Sequence, residues 1–75
     1  MDLFELLKNK LGCDYISDMR YGDVNRKAKY LMKDIDFKSY STFVLSDMAE
    51  YLYKSRQIFN HTEEARIFFV GKGRI

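Results

Sequence analysis

The sequence predicts an all-α fold, a small bundle of four to five short helices. Three observations carry this prediction. Apolar residues recur at helical spacing in several segments, residues that cap helices separate those segments, and proline is absent from the chain. The 75 residues form a single helical domain, 1–75. A chain this short buries only about 60% of the surface that its unfolded form exposes, so a thin core is expected.

The first helix is predicted at residues 3–11. Asp2 followed by Glu5 resembles a capping box with Asp in place of Ser or Thr, and Gly12 suits a left-handed stop. A short helix is then expected within residues 13–21, with three apolar residues on one face. These residues are Tyr15, Ile16 and Met19.

The segment 24–35 shows the strongest pattern in the chain. Its apolar residues share one arc about 100° wide on a helical wheel, with Gly22 ending the preceding segment and Asp23 as the expected cap. The apolar residues are Val24, Ala28, Leu31, Met32 and Ile35. The opposite face is basic and contains an aromatic ring. It consists of Arg26, Lys27, Lys29, Tyr30 and Lys33.

A connector follows over 36–41, from which Phe37 and Tyr40 are expected to fold back onto the core. A long helix is predicted from about Thr42 to Phe59, with Ser41 as its N-cap. A rival start at Asp47, with Glu50 as its capping partner, would leave residues 41–45 extended.

The last helix is predicted to start at Thr62, where Glu63 and Glu64 follow. The run 66–70 is aromatic and β-branched, so a short extended segment near the C-terminus is the alternative to a helix. The predicted core draws on every helix. It comprises Leu3, Phe4, Leu7, Leu11, Ile16, Met19, Ala28, Leu31, Met32, Ile35, Val44, Met48, Leu52, Phe59, Ile67 and Phe68.

Composition excludes several classes of function. One cysteine and one histidine cannot form a disulfide or a structural zinc site, so no metal and no cofactor are expected. Thr62, the only hydroxyl residue beside His61, is expected to cap a helix, and Cys13 has no local cation to activate it, so no catalytic residue, enzyme activity or small-molecule substrate is expected. No apolar run is long enough to span a membrane. A lone thiol without an export signal favours a cytoplasmic location.

The leading functional prediction is a non-enzymatic protein-interaction module that binds a protein partner or forms a homo-oligomer. Six tyrosines and six phenylalanines are a large share of so short a chain, and tyrosine is favoured at interfaces. Tyr51 and Tyr53 lie on different sides of the long helix, so at least one is expected to be partly exposed. Both are predicted partner contacts.

The alternative prediction is a nucleic-acid-binding domain that uses the basic face of helix 24–35. Cations with an aromatic ring among them suit phosphate and base recognition, here Arg26, Lys27, Lys29, Tyr30 and Lys33. A net charge of +2 gives this prediction little support. If Gly22 occupies the turn of a helix-turn-helix, Ser17 and Asp23 fall at its core positions, and both are polar. A solvated basic face is therefore the simpler interpretation.

Overall fold

Four α-helices and two short 3-10 helices follow one another in the part of the chain that the structure describes. The structure, a computed structural model, describes residues 2–72, and none of these residues lies in a strand. The predicted all-α fold is confirmed. The predicted domain 1–75 includes residues 1 and 73–75, which lie outside the described range.

Helix α1 spans Leu3–Leu11, as predicted, and carries both predicted caps. The Asp2 side chain accepts a hydrogen bond from the Glu5 amide at 3.1 Å. Gly12 ends the helix in the left-handed region at φ 68°, where a side chain would be strained. The predicted local caps therefore coincide with both ends of α1.

A 3-10 helix at Ile16–Arg20 replaces the predicted short helix in this segment. Met19 is fully buried and Ile16 is half-buried. The placement of Tyr15 on the same face is wrong, because its ring is 69% exposed. In a 3-10 helix residues three apart share a face, which suits Ile16 and Met19, whereas Tyr15 precedes the helix in extended conformation.

Helix α2 spans Gly22–Leu31, whereas the sequence predicts a helix over 24–35. It starts earlier, so Tyr21 takes the cap position and the expected cap, Asp23, lies in the first turn. At its end, backbone amides bond carbonyls three residues back. This tightening ends the helix and leaves Ile35 outside it.

A second 3-10 helix, Phe37–Ser39, lies in the connector before α3. Asp36 caps it, because its side chain accepts from the Lys38 amide at 3.2 Å. Phe37 is buried and Tyr40 packs against the core, as predicted.

Helix α3 spans Thr42–Tyr53. The Ser41 hydroxyl accepts a hydrogen bond from the Val44 amide at 3.2 Å, which confirms the predicted N-cap. The rival start at Asp47 is wrong, since that residue lies in the middle of the helix.

The predicted end of α3 at Phe59 is wrong. Lys54 adopts the left-handed conformation at φ 60° and donates its amide to the Glu50 carbonyl, which stops the helix. Phe59 is nevertheless buried, because the chain after Lys54 turns back and places its ring 5.7 Å from the ring of Phe68. An apolar residue at position 59 is therefore explained by its burial in the core and not by membership of helix α3.

Helix α4 spans Thr62–Lys72, so the extended alternative for 66–70 is wrong. Ala65 and Phe69 are fully buried on one face of this helix. Ile67, predicted in the core, is 61% exposed. Residues four apart share a helical face, whereas residues two apart do not, so burial of Phe69 turns Ile67 outward.

The core joins all four helices. α2 packs against α1, α3 and the first 3-10 helix, and α4 packs against α3 and the second 3-10 helix. No described helix has the length and apolar character needed to cross a bilayer. The buried apolar residues are Leu3, Leu7, Met19, Ala28, Met32, Phe37, Leu45, Met48, Ala49, Leu52, Phe59, Ala65 and Phe69. Apart from Ile67, the remaining residues of the predicted core belong to this set or pack against it.

Candidate interaction site

Helix α2 carries most of the predicted basic face, and a partly buried contact fixes its position. The side-chain amide of Asn25 donates hydrogen bonds to the carbonyl oxygens of Met19, at 2.7 Å, and Leu52, at 3.1 Å. One side chain thereby ties α2 to the first 3-10 helix and to α3. The opposite, solvent-facing side of α2 is consequently held in one orientation.

The structure divides the five predicted site residues among different surroundings: four lie on α2, whereas Lys33 follows the end of the helix. Arg26, Lys27 and Tyr30 are exposed. The Lys29 ammonium lies 4.5 Å from the centre of the Tyr53 ring, at the end of α3. The Lys33 ammonium lies 4.7 Å from the centre of the Tyr30 ring.

Arg26 also has a partner of its own, because its guanidinium lies 2.9 Å from the Asp23 carboxylate one turn earlier. Both side chains are mostly exposed, so solvent screens this ion pair. Within the basic face, Arg26 is thus paired with an acid, whereas Lys29 and Lys33 lie over tyrosine rings.

A cleft lies between the end of α1 and the exposed side of α2, and we name it the α1–α2 slot. Its volume is about 440 Å³. Two half-buried leucines contribute its apolar surface, and three cationic side chains and one tyrosine complete its lining. The lining residues are Lys10, Leu11, Arg26, Lys27, Tyr30 and Leu31.

Sequence reasoning missed Lys10 and Leu11 as members of this site. Both close α1, and only the packing of α1 on α2 brings them beside Lys27 and Tyr30. Nothing local in the sequence signals that contact.

Tyr51 and Tyr53, the other predicted partner contacts, are both half-buried and belong to different clusters. The Tyr51 ring meets Phe4 edge to face, with ring centres 5.2 Å apart. The Tyr53 ring meets Phe68 in the same way, also at 5.2 Å. Neither tyrosine lines the α1–α2 slot. Burial raises the pKa of the Tyr51 and Tyr53 hydroxyls above the ordinary value for tyrosine. At Tyr51 the nearby Arg20 guanidinium opposes this rise in pKa.

A second cleft, which we name the Tyr51 groove, has a volume of about 630 Å³. It shares no lining residue with the α1–α2 slot. Phe4, Ile16 and Tyr51 supply its apolar surface. Its charged side chains are Arg20, Asp47, Glu50 and Lys54.

Neither His61 nor Cys13 lines either cleft. His61 is exposed before α4, and the Cys13 thiol lies 3.8 Å from the Lys8 carbonyl oxygen, to which it donates. Within residues 2–72, no three His, Cys, Asp or Glu side chains are grouped so that they could hold a metal ion.

Comparison with known proteins gives no relative from which a role could be transferred. No protein-family model, no curated protein and no solved structure matches this chain.

Proposed function

We propose that this chain is a non-enzymatic protein-interaction module that binds an acidic segment of a partner protein in the α1–α2 slot. One observation carries the proposal: leucine side chains and cationic side chains line the same surface cleft. An apolar partner side chain would bury itself against the leucines while flanking carboxylates meet the cations. Such a combination of an apolar centre and a charged rim is typical of protein interfaces.

The charges of the slot favour an acidic occupant. Lys10 and Lys27 form no ion pair with any residue of the described chain, and Arg26 has only its solvent-exposed contact with Asp23. Complementary charges speed association and select among partners. Acidic groups flanking the apolar side chain would therefore be recognised.

Tyr30 is the residue best suited to anchor the partner. It lines the slot, the residue is 64% exposed, and the Lys33 ammonium lies over one face of its ring. Tyrosine offers a large contact area and loses little rotamer freedom on binding, which is why it is common among the residues that dominate interface energies.

A library of displayed random peptides, selected against the full chain, tests the proposal. We expect enriched peptides in which Asp or Glu flanks a large apolar residue. Binding of a selected peptide, followed by fluorescence anisotropy, should weaken at least about tenfold in Lys27→Glu and in Tyr30→Ser, because each removes a lining contact. Lys29→Glu is the matched control for Lys27→Glu, since it makes the same change of charge and Lys29 lies over Tyr53 and outside the slot.

Two results would overturn this proposal. One is enrichment of peptides without acids, and the other is equal loss of affinity in Lys29→Glu and Lys27→Glu. Light scattering gives the molecular mass of the free chain. A dimer that Lys27→Glu and Tyr30→Ser dissociate would assign the slot to a second copy instead of a foreign partner.

Nucleic-acid binding is the competing outcome. A labelled duplex, titrated at low and moderate salt, should show no binding at micromolar protein. Binding that falls steeply with salt and disappears in the triple variant Arg26→Glu, Lys29→Glu, Lys33→Glu would favour it. The contacts of these cations with Asp23, Tyr53 and Tyr30 speak against that outcome.

We place this function in the cytoplasm, because the free thiol of Cys13 suits a reducing compartment. Proteomic fractionation of cells that produce the chain tests this placement. Recovery from an exported fraction would contradict it.

A further inference from the structure

The Tyr51 groove has an aromatic surface with two cations beside it. The rings of Phe4 and Tyr51 stand edge to face, with an angle of 86° between their planes. The Arg20 guanidinium lies 5.2 Å from the centre of the Tyr51 ring. The Lys54 ammonium lies 5.3 Å from the centre of the Tyr21 ring. Tyrosine faces therefore hold both cations of the groove in place.

The charge balance of the groove favours an anion. Its two acids, Asp47 and Glu50, are both engaged by one guanidinium, that of Arg56, at 3.1 and 3.2 Å. Arg20 and Lys54 form no ion pair with any other part of the chain that the structure describes. Their charges remain available to a ligand, whereas those of the acids are already partly neutralised.

The backbone at Lys54 adds a second, independent observation. Lys54 is the only non-glycine residue of the described chain with positive φ, at 60°. A left-handed helix end normally uses glycine, because a side chain there costs about 1 kcal/mol or more. Strain of this kind clusters at functional sites. The residue at this strained position is a cation that lines the groove.

We propose that the Tyr51 groove binds a small organic anion, an aromatic ring that carries a phosphate or carboxylate group. The ring would lie against Phe4, Ile16 and Tyr51, and the anionic group would meet Arg20 and Lys54. A guanidinium suits such anions because it donates two parallel hydrogen bonds. The volume of about 630 Å³ is within the range of small-molecule sites. This site is separate from the α1–α2 slot and does not depend on the function proposed for that slot.

Titration of the isotope-labelled full chain with phenyl phosphate, followed by amide NMR, tests the proposal. We expect saturable shifts at Ile16, Arg20, Tyr51 and Lys54. Benzoate should shift the same amides, which would show that the groove accepts either anionic group. Benzyl alcohol and inorganic phosphate each lack one half of the ligand, and each should bind at least about tenfold more weakly because one set of contacts is lost.

Two outcomes of this titration would overturn the proposal. One is equal binding of inorganic phosphate and phenyl phosphate, which would indicate attraction to surface charge alone. The other is the absence of shifts at the groove residues at millimolar ligand, whether or not residues elsewhere shift.

Variants separate binding from structure. Arg20→Gln and Lys54→Gln should each weaken phenyl phosphate about tenfold, as loss of a charge-assisted hydrogen bond does. Lys54→Gly removes the same charge and also relieves the backbone, so the melting temperature should not fall while affinity does. Lys27→Gln, which alters the α1–α2 slot only, is the matched control. Unchanged affinity in Arg20→Gln and Lys54→Gln would refute the site.

Discussion

The side-chain amide of Asn25 donates a hydrogen bond to the carbonyl oxygen of Leu52, which lies 27 residues further along the chain. Leu52 belongs to the last turn of α3, where carbonyl oxygens have no partner within the helix. The same amide nitrogen also donates to the Met19 carbonyl oxygen. This polar link joins α2, α3 and the first 3-10 helix within a small core.

Asn25→Asp should therefore destabilise the fold strongly. A carboxylate of the same shape has no hydrogen to donate and would face two carbonyl oxygens. We expect the free energy of unfolding to fall by about 3 kcal/mol, since the change leaves partly buried groups unpaired and adds a charge. Urea denaturation followed by circular dichroism measures this change.

Asn60→Asp is the matched control for that experiment, because Asn60 is exposed before α4. Its unfolding free energy should stay within about 0.5 kcal/mol of the parent value. Equal stability of the two variants would show that the hydrogen bonds of Asn25 contribute little to the fold.

Phe69 and Ile67 provide a test of how α4 sits on the core. Phe69 is fully buried and stacks at 6.0 Å on Phe37, whereas Ile67 is mostly exposed. Phe69→Ala should lower the free energy of unfolding by about 3–5 kcal/mol through lost contacts and a cavity. Ile67→Ala should change it by less than about 0.5 kcal/mol. Thermal melts of both variants measure the difference.

The reverse order of stabilities would show that α4 is rotated by about half a turn from the orientation described here. In a domain of this size Phe69→Ala alone can abolish folding. The milder Phe69→Leu preserves the comparison, since it should still cost more than Ile67→Ala.

Residues whose signals are local could be read from the sequence. The caps Asp2, Gly12 and Ser41 act on backbone groups within a few residues, so the bounds of α1 and the start of α3 are as predicted. The end of α3 could not be read, because Phe59 continues the helical period while tertiary packing has already turned the chain at Lys54. Periodicity reports burial, which a loop residue can also have.

In the candidate sites, too, the sequence predicts what depends on one helix and does not predict contacts between elements. The wheel of α2 correctly places Arg26, Lys27 and Tyr30 on an exposed face. It could not place Lys29, because the ring that attracts Lys29 belongs to α3. The Tyr51 groove brings together Arg20 and Lys54, which are distant in sequence. Composition and spacing carry no signal for such contacts.

Tyr53 predicts a loss of stability at alkaline pH. Burial raises the pKa of its hydroxyl in the folded chain above the ordinary value of 10.0. The unfolded chain therefore releases this proton first, and ionisation favours unfolding. The contribution of the protonated Tyr53 hydroxyl to the free energy of unfolding is fully present below about pH 10. It is lost as the pH rises through the pKa of this hydroxyl in the folded chain.

Urea denaturation at pH 8 and at about pH 11 tests this effect, since the second value lies above the ordinary tyrosine pKa. Tyr53→Phe should lose less stability between the two values than the parent chain does. Tyr15 is mostly exposed in the folded chain, so Tyr15→Phe should lose as much stability between the two pH values as the parent chain does. Identical losses in all three chains would contradict the prediction.

Asp23 is expected to lower the affinity of the α1–α2 slot for an acidic peptide. Its carboxylate lies 2.9 Å from the Arg26 guanidinium, and both groups are mostly exposed. Asp23→Asn should release Arg26 to an acidic peptide and remove a repelling charge, so affinity should rise by about two- to fivefold, mainly through faster association. The free energy of unfolding should fall by less than about 1 kcal/mol, because a screened ion pair and a favourable helix-dipole contact are lost.

Stopped-flow anisotropy at low and high salt measures the association and dissociation rates of the peptide. The gain should fade as salt screens the charges, and Asp14→Asn, at an exposed acid outside the slot, should show no gain. An Asp23→Asn chain that binds the peptide no faster than the parent at low salt would mean that Arg26 does not contact the acidic segment.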